Sequence, residues 1–195
     1  TVINMIESVL TIKNASLKFK ITLKSLIAVT IIALAVVLPQ FVHLVAGQNS
    51  GAQWLPMYLP ILLGGCLLGT QWGLSIGIAA PVASFIITSA ISSPMPALAR
   101  LPFMIVELAV FASVSGAFSK KIAENSLYAF PAVILAQLSG RTVFMLSVLI
   151  FQTLTPFTPA FVWEQICMGF AVQAVIVPLI VIGLCALLKG EEKNG

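Results

Sequence analysis

Arg100, Glu107, Arg141 and Glu164 are the ionisable residues that stand inside long apolar stretches of this chain. At the centre of a bilayer-spanning helix each would cost roughly 2.5–3.5 kcal/mol, so they must face protein or a wet cavity. Arg100 and Glu107 are seven residues apart, which puts them on one helix face about 10 Å apart in height. Arg141 belongs to the next stretch, which runs back the other way. It reaches the depth of Glu107, roughly 12–16 Å below the outer surface. Glu164 begins the last stretch, level with Arg100 at the rim. Two acid–base pairs at two depths would leave the interior neutral. Gln137 lies one turn before Arg141, Gln165 and Gln173 lie in the last stretch, and Trp54 and Tyr58 stand at an outer helix start. Together they sketch a polar, aromatic-lined pocket open to the outside and suited to a small heterocyclic ligand. The Glu107–Arg141 pair can also be a purely structural ion pair fixing two helices, and a pair can serve both roles.

Catalytic constellations are missing. The chain has no Asp, no HExxH, no Gly-rich phosphate loop with Lys, and no Ser paired with a candidate base. The expectation is therefore a protein without enzymatic activity. His43, alone near an outer helix end, fits a hydrogen-bonded structural role better than a metal site. Cys66, Cys167 and Cys185 lie in apolar runs without CxxC spacing and read as buried free thiols. No cofactor is expected in the chain, and active transport would need another subunit or an ion gradient.

The elements that must hold these residues are membrane helices. Apolar residues make up 59% of the chain and charged residues 8%, with a mean hydropathy of +1.10. A soluble domain carries about 25% charged residues, so this surface is made for lipid. Six apolar spans can be drawn: Leu26–Ala46, Trp54–Leu68, Trp72–Ile91, Leu101–Phe118, Leu127–Phe151 and Phe161–Leu188. The second is short, and Pro56 and Pro60 near its start suggest a segment facing protein rather than lipid. The fold class expected is an all-α bundle of six transmembrane helices. Residues 25–188 form its one membrane domain, with a segment 1–24 before it and a tail 189–195 after it.

Charge sets the orientation. Lys13, Lys18, Lys20 and Lys24 precede the first span, Lys120 and Lys121 follow the fourth, and Lys189 and Lys193 follow the sixth. The loops Gly47–Gln53, Ser92–Leu98 and Gln152–Ala160 carry no Lys or Arg. By the positive-inside rule both termini face the cytoplasm, as an even number of spans requires. The basic residues flank membrane ends instead of forming a stripe, which argues against a nucleic-acid partner. The first apolar run is too long for a signal-peptide core and lacks a cleavage site. Ile3, Ile6 and Leu10 suggest a helix lying on the inner membrane surface, against the plainer reading of a frayed tail.

Small residues indicate where helices touch. Gly65, Gly69, Gly73 and Gly77 recur every fourth position, and Ala112 with Gly116 and Ser113 with Ala117 repeat the spacing. Such stripes let backbones approach in lipid, and packing within the chain is the expected use. No duplicated half suggests an inverted-repeat transporter.

Three stretches carry a resemblance. LPMYLPILLGGCLLGTQWGLSIG (Leu55 to Gly77) resembles the second-to-third helix region of the substrate-binding S components of energy-coupling factor (ECF) transporters. That region reads LPxHxPxLLxGxxxGxxxGLxxG in one branch, with Tyr58 here at the His position. FMIVELAVFASVSG (Phe103 to Gly116) looks like the family's FELATYGxxxG segment, and LAQLSGRTVFML (Leu135 to Leu146) looks like its AMLAGRIVxG segment. The resemblance covers most of residues 25–188. It implies a vitamin-binding membrane protein that docks on a transmembrane coupling subunit driven by two ATPase subunits, which use the ATP. Glu107 and Arg141 fall on the motifs' polar positions and so become substrate-binding candidates. The branch implies hydroxymethylpyrimidine, a pyridoxine-like ligand or pantothenate. Glu107 would suit ring amino hydrogens, whereas Arg100 or Arg141 would suit a carboxylate. Two departures stand out. Ala28, Ala33 and Ala35 miss the AxxxA spacing that many relatives use for docking, and the last span lacks the family's Asn-rich middle. A stand-alone proton-coupled transporter or intramembrane enzyme using the Glu107/Arg141 pair is the alternative reading.

Overall fold

The computed structural model describes residues 16–46, 56–90, 95–151 and 159–194, and these residues are helical with short connections and no strand among them. The helices are α1 (Leu17–Ala46), α2 (Tyr58–Leu68), α3 (Thr70–Ala90), α4 (Leu101–Ala117), α5 (Ser119–Glu124), α6 (Ala129–Ile150) and α7 (Pro159–Asn194), with a 3-10 turn at Ser126–Tyr128 before α6. Four stretches, in α1, α3, α6 with its preceding turn, and α7, are long and apolar enough to cross a membrane. The apolar helices α2 and α4 are shorter, 11 and 17 residues.

Outward-facing apolar side chains follow the lipid logic. Leu26, Val29, Val37 and Phe41 on α1 are exposed, as are Val175 and Leu179 on α7. Hydroxyls along the helices are satisfied locally instead of facing lipid bare. Thr22, Thr30, Ser75, Ser139 and Thr142 each donate to the carbonyl four residues back. These polar residues are therefore not site members.

α4 sits at the centre, packed on α2, α3 and α6. Glycines let it in. A Cβ on Gly73 would come within 2.7 Å of the Ala112 carbonyl oxygen, and one on Gly77 within 2.6 Å of the Leu108 oxygen. The stripe read from the sequence thus packs α3 against α4 within the chain. Gly69, at φ 87°, takes the left-handed conformation that separates α2 from α3.

Several boundaries differ from expectation. α1 begins at Leu17, nine residues earlier than the predicted span, so Lys18, Lys20 and Lys24 ride on its first turns. Lysine stems can lie along apolar surface with the ammonium in water, so a basic run need not stop a helix. Residues 1–15, which hold Lys13 and the Ile3–Leu10 pattern, lie outside the described residues. α5 and the 3-10 turn were not foreseen in the Lys120 loop; Asn125 caps that turn by accepting from the Leu127 N–H at 3.0 Å. α7 runs 36 residues, through the predicted end at Leu188 to Asn194.

Candidate functional site

The site starts from α4. Its central position turns Glu107, in the second turn, wholly inward. α6 packs closely beside it, because a Cβ on Gly140 would already stand 3.1 Å from the Glu107 carbonyl oxygen. That approach brings Arg141, the next residue, onto the carboxylate. Arg141 Nη1 donates to Glu107 Oε1 at 2.8 Å, with the two side chains 5% and 0% exposed. α2 supplies the third member. The Tyr58 hydroxyl donates to Glu107 Oε2 at 2.6 Å. Both carboxylate oxygens therefore hold a hydrogen bond from a group distant in sequence.

Aromatic rings enclose the guanidinium. Its Cζ lies 4.6 Å from the Tyr58 ring centroid and 5.4 Å from that of Phe111. The two rings meet edge to face, 5.4 Å apart at 84°. A cation between desolvated rings gains about 2 kcal/mol or more from each good face. The ion pair is thus clamped by charge, hydrogen bonds and rings together.

The cluster is not saturated. Arg141 Nε and Nη2 are buried with no hydrogen-bond partner, and so are both amide atoms of Gln137. Gln137 is fully buried one turn before Arg141, on the same face of α6. An unmet buried polar group costs about 1–3 kcal/mol, so four such atoms in one neighbourhood make the cluster costly as it stands. Unfilled guanidinium donors seek acceptors, while a primary amide offers one acceptor and two hydrogens. The charges of Glu107 and Arg141 cancel within the pair.

The other sequence candidates divide. Tyr58 was expected at an outer helix start, lining the pocket; it is the first residue of α2, fully buried, and donates to Glu107. Arg100 was expected at the outer rim of the fourth span, above Glu107. It precedes the first residue of α4, is partly exposed, and stacks 5.7 Å from the Phe144 ring. Gln173 is buried on α7. Trp54 lies outside the described residues. Glu164 and Gln165 are on α7, but their side chains, like those of His43 and Cys167, lie outside them too, and so does the proposed Arg100–Glu164 pairing. Cys66 and Cys185 are buried and form no disulfide among the described residues. Among the described residues no cluster of three or more His, Cys, Asp or Glu side chains could hold a metal. Phe111 is the site residue that sequence reasoning missed. It follows Glu107 by one turn, and that spacing was the available signal.

Comparison of the chain with protein-family models, curated proteins and solved structures gives no match.

Proposed function

We propose that this chain is the substrate-binding S component of an ECF-type transporter, importing a vitamin or vitamin precursor across the cell membrane. One observation carries the reading. The three stretches that resemble the family converge, through Tyr58, Glu107 and Arg141, on one buried cluster that still has unmet hydrogen-bonding groups. Residues 49 and 34 positions from Glu107 meet at its carboxylate. A cluster serving only to hold helices together would have little reason to leave Gln137 and half of Arg141 unsatisfied.

In this reading the chain crosses the membrane six times with both termini cytoplasmic, α2 and α4 being short crossings shielded by the longer helices. The ligand's acceptors, whether pyrimidine ring nitrogens or the carboxylate of a pantothenate-like molecule, meet Arg141 Nε and Nη2. The amide of Gln137 reads a neighbouring edge, and Phe111 and Tyr58 give apolar walls. The chain does no chemistry on the ligand. Energy comes from ATP hydrolysed by two partner subunits through a transmembrane coupling subunit.

Uptake assays test the class. Cells expressing this chain should concentrate the vitamin only when the coupling and ATPase subunits are co-expressed, while the purified chain binds it alone. Uptake that persists without those subunits and collapses with a protonophore would establish the proton-coupled alternative instead.

A further inference from the structure

The end of the bundle opposite Arg100 holds a cavity of about 460 Å³, lined by none of the residues of the Glu107 cluster. Its walls come from five elements, Leu68 closing it from the end of α2 and Gly116 and Ala117 from the end of α4. Lys24 reaches in from α1, Lys120 and Ser119 from α5, and Thr70, Gln71 and Trp72 from the start of α3. No carboxylate lines it.

The donors converge. Thr70, Gln71 and Trp72 form the first turn of a 21-residue helix, and first-turn N–H groups have no acceptor within their own helix. The Gly73 N–H, which follows these three, bonds to the Gly69 oxygen at 2.8 Å. Such a helix end carries about half a positive charge. Ser119 is 2% exposed, and its hydroxyl makes no hydrogen bond among the described residues while lining the cavity. Two ammonium groups, a positive helix end and a buried hydroxyl with an open hydrogen bond call for a compact anion with several oxygens. A phosphate group has that form. The volume is in the range that takes a whole small ligand, and the half-buried Trp72 sits where an aromatic ring meets a headgroup layer.

We propose that this cavity binds a phosphate group, supplied by the headgroup of an anionic phospholipid. The lipid would tie α1 and α5 to the start of α3 at the lysine-rich end, apart from the vitamin site.

Native mass spectrometry and melting of the delipidated, detergent-purified chain test it, with phosphatidylglycerol, phosphatidylcholine and inorganic phosphate as probes. Phosphatidylglycerol should stay bound under activation that strips phosphatidylcholine, and should raise the melting temperature. Lys24→Gln and Lys120→Gln should each weaken its binding about fivefold. Lys120 is exposed, so its variant folds normally; if Lys24→Gln does not, Lys120→Gln and Ser119→Ala carry the test. Inorganic phosphate that stabilises the chain and displaces the lipid, with the same lysine dependence, would support the phosphate site and assign it a soluble occupant. Equal retention of both lipids, or unchanged phosphatidylglycerol binding in Lys120→Gln and Ser119→Ala, would overturn the proposal. None of these outcomes depends on vitamin binding or uptake.

Discussion

The Tyr58 hydroxyl donates to Glu107 Oε2 at 2.6 Å while its ring lies 4.6 Å from the Arg141 guanidinium carbon. One side chain thus touches both members of the ion pair, through its polar tip and its aromatic face. Tyr58→Phe keeps the ring and removes the donor. It should cost about 1–3 kcal/mol of stability and weaken ligand binding, read by melting temperature and isothermal titration. Tyr58→His restores a donor on a shorter arm and should recover only part of the loss. Full wild-type behaviour in Tyr58→Phe would remove Tyr58 from the site.

The ion pair can be separated from the ligand by a mutant cycle. Glu107→Gln or Arg141→Met alone strands a buried charge, at roughly 3–5 kcal/mol. The double variant has no stranded charge and should melt close to wild type. A site that reads its ligand through Arg141 predicts that this well-folded double variant still fails to bind in isothermal titration.

The glycine seam makes a contrasting pair of predictions. Gly77→Val drives a side chain into the Leu108 backbone, 2.6 Å from where its Cβ must sit, with little room to shift. It should destabilise by about 1–3 kcal/mol or more and displace Glu107 with α4. Gly183 has nothing within 4 Å of an added Cβ. Gly183→Ala should leave binding unchanged and keep or slightly raise the melting temperature, because alanine is the better helix former.

Orientation is checked by labelling. Lys120→Cys should react with an impermeant maleimide only after the membrane is opened, and Leu98→Cys, at the other end of the bundle, should react in intact cells. Both positions are exposed, whereas Cys66 and Cys185 are buried and should stay silent. Labelling of position 120 from outside would invert the topology.

The apolar helices were legible in the sequence because their runs are long and end at Gly, Pro, Ser or Asn. The meeting of Glu107 with Arg141 was legible too, since equal depth on antiparallel helices follows from rise per residue. Tyr58 was legible as a pocket residue at a helix start, but its bond to Glu107 was not. The partner is on another helix, and a long-range partner has no local signature. α5 stayed hidden because Ser119–Glu124 is too short for a periodic signal and is mostly polar. The unmet atoms of Arg141 and Gln137 are likewise a property of packing. Spacing put the two residues on one face, but only the fold decides which of their hydrogen bonds are filled.

The most direct measurement is mass spectrometry of the small molecules released from the purified chain. Wild-type protein should release a vitamin-class compound in near-stoichiometric amount, and the folded Glu107→Gln, Arg141→Met double variant should release none. Equal release from both proteins, or no vitamin-class compound that wild-type protein retains or is stabilised by, would contradict a substrate site built on Glu107 and Arg141.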